Sequence, residues 1–167
     1  LKKISMIRTP PKSRRPIFTA VKYFDWSTVY TRIETELARR GQVYFLNNDI
    51  GSIPSIVDKI KTRFKNSTVA GASGKMPPRE LEKTVLGFFN AEVDILVCTT
   101  IIESGLDVTN ANTIIVKDAH NFGLAQLYQI RGRVGRGGRQ ASCLLLIPKK
   151  KLDKPAKERL RTLERNT

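Results

Sequence analysis

The stretch that decides the fold is "VDILVCTT" (93–100), followed one loop later by "ANTIIVKDA" (111–119). Both contain unbroken apolar runs, not the alternation of a strand with one wet face. A short apolar run bounded by Asp, Asn and Thr fits a strand buried on both faces, and such strands belong to parallel sheets covered by helices. The segments around them are strand-like too, the first of them β-rich and alternating. "IFTAVKYF" (17–24), "QVYFL" (42–46), "STVAGA" (67–72) and "ASCLLLIP" (141–148) read as further strands. Between them lie helical stretches. "DWSTVYTRIETELARRG" has Asp25 or Ser27 to cap its start and Gly41 to end it. "SIPSIVDKIKTRF" puts Ile53, Ile56, Val57, Ile60 and Phe64 on one face. "PPRELEKTVLGFFNAE" has proline in its first turn, where a missing N–H costs nothing. "GLAQLYQIRGRV" (123–134) reads as a fourth helix and the tail after Pro148 as a fifth. The expected class is α/β, a three-layer domain with a mostly parallel sheet and helices on both faces.

The chain has 167 residues, 40% of them hydrophobic, which is enough for one domain with a real core. No apolar run approaches the ~20 residues of a membrane span, and a cytoplasmic location with no membrane partner is expected. Cys98 and Cys143 lie inside apolar runs without C-x-x-C spacing, so buried thiols are expected, and a single His120 argues against a metal centre. The net charge of +15 is unevenly spread. Residues 1–40 carry ten Lys/Arg against three acids, residues 41–125 eight against nine, and residues 126–167 twelve against three. Basic ends around a balanced middle suggest surfaces that face phosphate; solvated lysine-rich tails are the alternative. Residues 1–16, with three prolines and six basic residues, read as a linker or arm.

In parallel sheets ligands bind beyond the carboxyl ends of strands. Four segments stand there: "NND" (47–49), "GASGKM" (71–76), "TTIIESGLDV" (99–108) and "DAHNFG" (118–123). "GASGKM" is not a P-loop, which needs G-x-x-x-x-G-K-S/T. Two residues separate its glycines and Met76 follows Lys75, and no Asp-Glu dipeptide occurs in the chain. Nucleotide hydrolysis by this chain alone is therefore not expected. The segment does lead into a helix N-terminus, so Gly74, Lys75 and Arg79 suit a nucleic-acid phosphate, or else form a simple glycine turn. In "TTIIESGLDV", Thr99 and Thr100 offer hydroxyls and Gly105 permits close backbone approach. Glu103 and Asp107 lie four apart with no His or Lys partner nearby. Hydrogen bonding to a ribose or to arginines suits them better than acid–base catalysis; a turn with a capping acid is the plainer reading.

The segment "QLYQIRGRVGRGGRQ" (126–140) holds four arginines. On a helix Arg133 and Arg136, three apart, point the same way, and Arg131 points elsewhere. Planar guanidinium groups grip phosphate oxygens bidentately, and two across a cleft can stabilise charge on a transferring γ-phosphate. A nucleic-acid-binding patch and a solvated basic turn remain open from spacing alone. Arg139, beyond the glycines, is expected to be left to DNA or water.

Taken together these residues resemble superfamily 2 helicases. "QIRGRVGR" (129–136) is similar to their motif VI, "VCTTIIESGLDV" (97–108) to motif V and "VYFLNN" (43–48) to motif IV. The order and spacing match the second RecA-like domain of such motors over residues 4–148. The longer string "GLAQLYQIRGRVGR" resembles the transcription-repair coupling factors and the RecG branch-migration helicases, and "ISMIRTPPKSRR" leans toward the former. Two family histidines are replaced, by Tyr128 and Ser73.

The resemblance implies a role for each matching position. Arg133 and Arg136 would reach the γ-phosphate of ATP, with Gln129 beside it. Gly105 and Asp107 would meet the nucleotide's sugar side, and Glu103 would couple nucleotide and DNA sites. Thr99, Thr100, Gly74 and Lys75 would contact double-stranded DNA. It also implies that ATP and Mg²⁺ are bound mainly by a first motor domain preceding this one, and that RNA polymerase and excision-repair proteins are partners of the whole. The implied division is 1–16 as linker, 17–148 as motor domain and 149–167 as the start of a helical translocation motif.

Overall fold

A computed structural model describes residues 16–99 and 108–166. Thr100, Glu103, Gly105, Asp107 and nearly all of the 1–16 arm lie outside the described residues. In chain order the elements are β1 (Ile17–Tyr23), α1 (Trp26–Ala38), β2 (Gln42–Leu46), α2 (Ile53–Arg63), β3 (Val69–Ala72) and α3 (Pro78–Phe89). They continue with β4 (Ile95–Cys98), β5 (Ala111–Val116), α4 (Leu124–Arg131), β6 (Ala141–Ile147) and α5 (Lys154–Arg165). The six strands form one sheet in the order β1-β6-β5-β2-β4-β3, and every pairing is parallel.

The continuous apolar runs have the consequence expected of them. Along β2, Val43 and Phe45 point to one face and Tyr44 and Leu46 to the other, and all four are buried. Val43 and Phe45 pack with Val29 and Ile33 of α1 and with Ile53, Ile56, Val57 and Ile60 of α2. Tyr44 and Leu46 pack with Phe88 of α3, Leu127 and Ile130 of α4, and Leu160 and Leu163 of α5. Two helices thus cover one face and three the other. Each fully buried large side chain, such as Phe45 or Leu96, contributes about 1.5–3 kcal/mol.

Parallel strands put all carboxyl ends at one edge of the sheet and all amino ends at the other. The two outermost strands are handled differently. β3 is short, with four residues. β1 carries Phe18 and Tyr23 at 59% and 57% exposure, and its Val21 N–H donates to the Glu164 carboxylate of α5 at 3.1 Å.

Two helix ends differ from the sequence reading. At the start of α1, Asp25, one of the two expected caps, accepts the Thr28 N–H at 3.2 Å. At its end the left-handed residue is Arg40 (φ 63°), not Gly41. The Gly41 and Arg40 N–H groups bond back to the Glu36 and Leu37 carbonyls, closing a Schellman turn one residue earlier than expected. Gly41 is demanded by close approach instead: a Cβ there would lie 1.8 Å from Glu36 Oε2. The second difference concerns α4, expected to continue to Val134. It stops at Arg131, because Gly132 caps it and Arg133 N–H reaches Ile130, tightening the last turn. Gly135 (φ 78°) then takes a conformation that side-chain-bearing residues avoid. Arg133 and Arg136 therefore lie beyond the helix, in the turns leading to β6.

Two expected outcomes follow from this packing. Gly41→Ala forces the Glu36 carboxylate to move and lowers stability by about 1–3 kcal/mol in denaturant titration. Burial raises both thiols from 9.0 to about 12, and for Cys143 the nearby Arg131 charge partly opposes this. Neither thiol reacts with a water-soluble disulfide reagent at pH 8 until the protein is unfolded, when both do. Because the folded pKa values are the raised ones, this contribution to stability is complete below pH 9 and is lost as pH rises from 9 toward about 12.

Candidate nucleic-acid and nucleotide-facing sites

The carboxyl edge gathers one set of candidates. Thr99 closes β4, and its N–H donates to the Ala72 carbonyl of β3 at 3.4 Å. This sets it beside the turn Ser73–Met76. That turn is held by Met76 N–H to Ser73 O at 3.1 Å and by Ser73 N–H to the Met76 sulfur at 3.3 Å. Gly74 and Lys75 stand exposed at its tip. Arg79 is exposed in the first turn of α3, whose N-terminus has no side-chain cap. Thr99 itself is only 5% exposed, and its Oγ1 has no hydrogen-bond partner. A buried hydroxyl left unpaired costs roughly 1–3 kcal/mol, which marks this spot as different from ordinary core. Ser73, in place of a family histidine, is buried in the turn.

The arginine segment lies at the opposite edge. α4 crosses from the carboxyl edge to the amino edge, and its last turn carries exposed Gln129. The half-buried Arg133 and exposed Arg136 follow in the turns before β6. The glycines here are packing requirements. A Cβ at Gly135 would meet the Ala141 side chain at 3.0 Å, and one at Gly137 would meet the Thr109 carbonyl oxygen at 2.6 Å. Thr109 immediately follows the motif V segment. The structure therefore brings the exit of motif V against the exit of motif VI, and it sets both apart from the Gly74–Lys75 turn across the sheet. The roles of Glu103, Gly105 and Asp107 fall outside the described residues.

The remaining arginines separate by partner. Arg131 donates to the Leu163 carbonyl at 3.0 Å and to the Asn166 carbonyl, and its guanidinium lies 5.0 Å from the Tyr128 ring centre. The Tyr128 hydroxyl accepts from Asn166 Nδ2 at 3.1 Å. Tyr128, at the other substituted histidine, thus serves with Arg131 to fasten α5. Arg139, expected to face DNA or water, instead donates to the Arg39 carbonyl at 2.6 Å, because the glycine turn aims it at the end of α1.

Sequence reasoning missed a cluster next to this turn. The Glu36 side chain is fully buried and accepts from Arg39 Nε and Nη2 at 2.8 and 2.7 Å and from Thr113 Oγ1 at 2.6 Å. Arg39 Nη2 also donates to the Gln140 carbonyl at 2.5 Å. An acid in the last turn of a helix opposes the helix dipole, and Glu36 with Arg39 at i,i+3 was the available signal. Among the described residues no group of three or more His, Cys, Asp or Glu side chains is placed to hold a metal ion. No helix among them is long and apolar enough to cross a membrane.

Residues 28–138 match the family of the helicase conserved C-terminal domain. The transcription-repair-coupling factors of Staphylococcus epidermidis and of Staphylococcus aureus strain USA300 are each 45% identical to the chain over 165 residues, 98% of its length. The chain spans only 14% of those relatives. The structure of RecG bound to a three-way DNA junction superposes with a TM-score of 0.81 and 33% identity, over 95% of this chain and 21% of that one. The second domain of the Mss116p DEAD-box helicase, bound to an RNA duplex, shares the fold at a TM-score of 0.67 and 21% identity, over 80% of this chain and 55% of that one. The parallel sheet, the placement of motifs IV and VI on it and these likenesses agree: this is a RecA-like domain, and the chain belongs to the helicase conserved C-terminal domain family.

Proposed function

We propose that this chain is the second motor domain of an ATP-dependent double-stranded DNA translocase that couples transcription to DNA repair by displacing stalled RNA polymerase. The observation that carries the reading is the packing of the Arg133–Gly137 turns against the exit of motif V, at the edge of the sheet away from the Gly74–Lys75 turn. One edge is suited to nucleotide and the other to DNA. The 45% identity to coupling factors over nearly the whole chain supports the repair context. The 33% identity to RecG makes a fork-remodelling helicase the second reading.

In this reading a first motor domain holds ATP and Mg²⁺. Hydrolysis of the bound ATP supplies the free energy for movement. Arg136 and Arg133 suit the γ-phosphate, since guanidinium groups pair bidentately with phosphate oxygens. Arg136 acts as the finger that stabilises developing charge. Gln129 lies beside the same phosphate, Gly105 and Asp107 on the sugar side, and Glu103 between the two sites. Gly74, Lys75, Arg79, Thr99 and Thr100 contact the DNA backbone. RNA polymerase and excision-repair proteins are partners of the longer protein, in the cytoplasm.

The isolated chain turns over ATP negligibly; robust hydrolysis by the pure domain would sink the division of labour proposed here. In the full-length protein Arg136→Ala lowers ATP turnover by about 10³-fold or more while DNA affinity stays within about twofold. Lys75→Ala weakens DNA binding evenly across sequences and reduces the salt slope of binding by about 1, measured by titration at several salt concentrations.

A further inference from the structure

The Glu36 cluster has no assigned role, yet it reaches the backbone just past the Arg136 turn. From the buried carboxylate, Arg39 extends by one N–H to the Gln140 carbonyl, and Arg139 returns a hydrogen bond to the Arg39 carbonyl. Residues 139 and 140 are thus tied to the end of α1 in both directions, three and four residues past Arg136. The same helix end holds the other strand entry. Asn110 Nδ2 donates to the Arg40 carbonyl at 2.9 Å, Gln42 N–H donates to the Asn110 carbonyl at 2.8 Å, and Thr113 of β5 donates to Glu36. Between the two tied segments, Gly137 rests on Thr109.

We infer that Glu36 and Arg39 are positioning residues: a buried carboxylate and a half-buried guanidinium that hold the Arg136 turn in register with the exit of motif V, so that the finger is preorganised for the phosphate. This rests on the assignment of Arg136 to the nucleotide. The arrangement suits the task. A carboxylate with no exposed surface that accepts three hydrogen bonds has one geometry, and a bidentate guanidinium transmits that geometry to its other N–H. One further N–H of the same guanidinium links the pair to the loop that follows motif VI. Ångström-scale misplacement of a catalytic group costs on the order of 100-fold in rate, so a modest loosening of this brace is readable.

The test uses the full-length protein and three substitutions beside wild type. R139A removes one surface hydrogen bond and leaves the core intact; E36Q keeps the shape of the carboxylate but loses its pairing with Arg39; R136A reports on the finger itself. DNA-stimulated ATP turnover, melting temperature, and affinities for ADP and for ADP–aluminium fluoride are measured on each. R139A is expected to lower kcat by roughly 3- to 10-fold, and E36Q by on the order of 10- to 100-fold. KM for ATP and ADP affinity should stay within about twofold, while affinity for the transition-state mimic falls in step with kcat. Wild-type kcat in R139A and in folded E36Q, with R136A inactive, would overturn the positioning role and leave the finger assignment standing. So would losses that merely track the unfolded fraction, with unchanged affinity for the mimic. Normal turnover by R136A would remove the finger assignment and this inference with it.

Discussion

Everything in this domain depends on strands that pair only in parallel. A parallel neighbour cannot be reached by a tight turn, so each connection must travel back across a face of the sheet, usually as a helix. Five such pairings hold the six strands here. They account for the helices on both faces and for the unbroken apolar runs that those helices bury. They also account for the two edges with separate contents. Thr99 and the Ser73–Met76 turn end strands, whereas the Gly132–Gln140 segment begins one. No local property of those loops separates them; the direction of the strands does.

Much of the fold was legible because burial on two faces leaves a strong mark. "QVYFL" and "ASCLLLIP" admit few other readings, and the Ile53–Phe64 face of α2 is buried as its spacing required. The end of α4 was not legible. Gly132 caps it, but a glycine inside a helical pattern is no certain stop, and the tightened bond from Arg133 N–H to the Ile130 carbonyl and the left-handed Gly135 against Ala141 appear only in the folded turn. Gly41 misled for a related reason. Glycine next to a helix end suggests a left-handed residue, but here it is the absence of a side chain that matters, because Glu36 fills the space. The strand order and the Glu36 cluster were beyond reach, since Thr113 and Gln140 lie about 77 and 104 residues from Glu36 in the chain and meet it or its partner only when β5 and β6 are in place.

Four arginines within nine residues look like one basic patch, and they are not. Arg131 fastens α5, Arg139 closes the end of α1, and Arg133 and Arg136 occupy the turns between. What distinguishes them is the backbone at each position. Arg131 is the last helical residue; Arg136 and Arg139 are each flanked by a glycine in a left-handed conformation, Gly135 and Gly138. Glycine spacing, more than arginine spacing, sets where each guanidinium is aimed. It also explains why a count of charges predicted a surface, while the structure divides the same charges between a surface and its supports.

The contact between Glu164 and Val21 has a wider consequence. An outermost strand with bare N–H groups is a template on which a second molecule can add its own strand, and β1 also shows Phe18 and Tyr23 to solvent. By occupying an amide of that strand with a side chain, α5 spoils the template. The helix after the sheet therefore does more than continue the chain: it blocks one position at which a second strand could pair with β1.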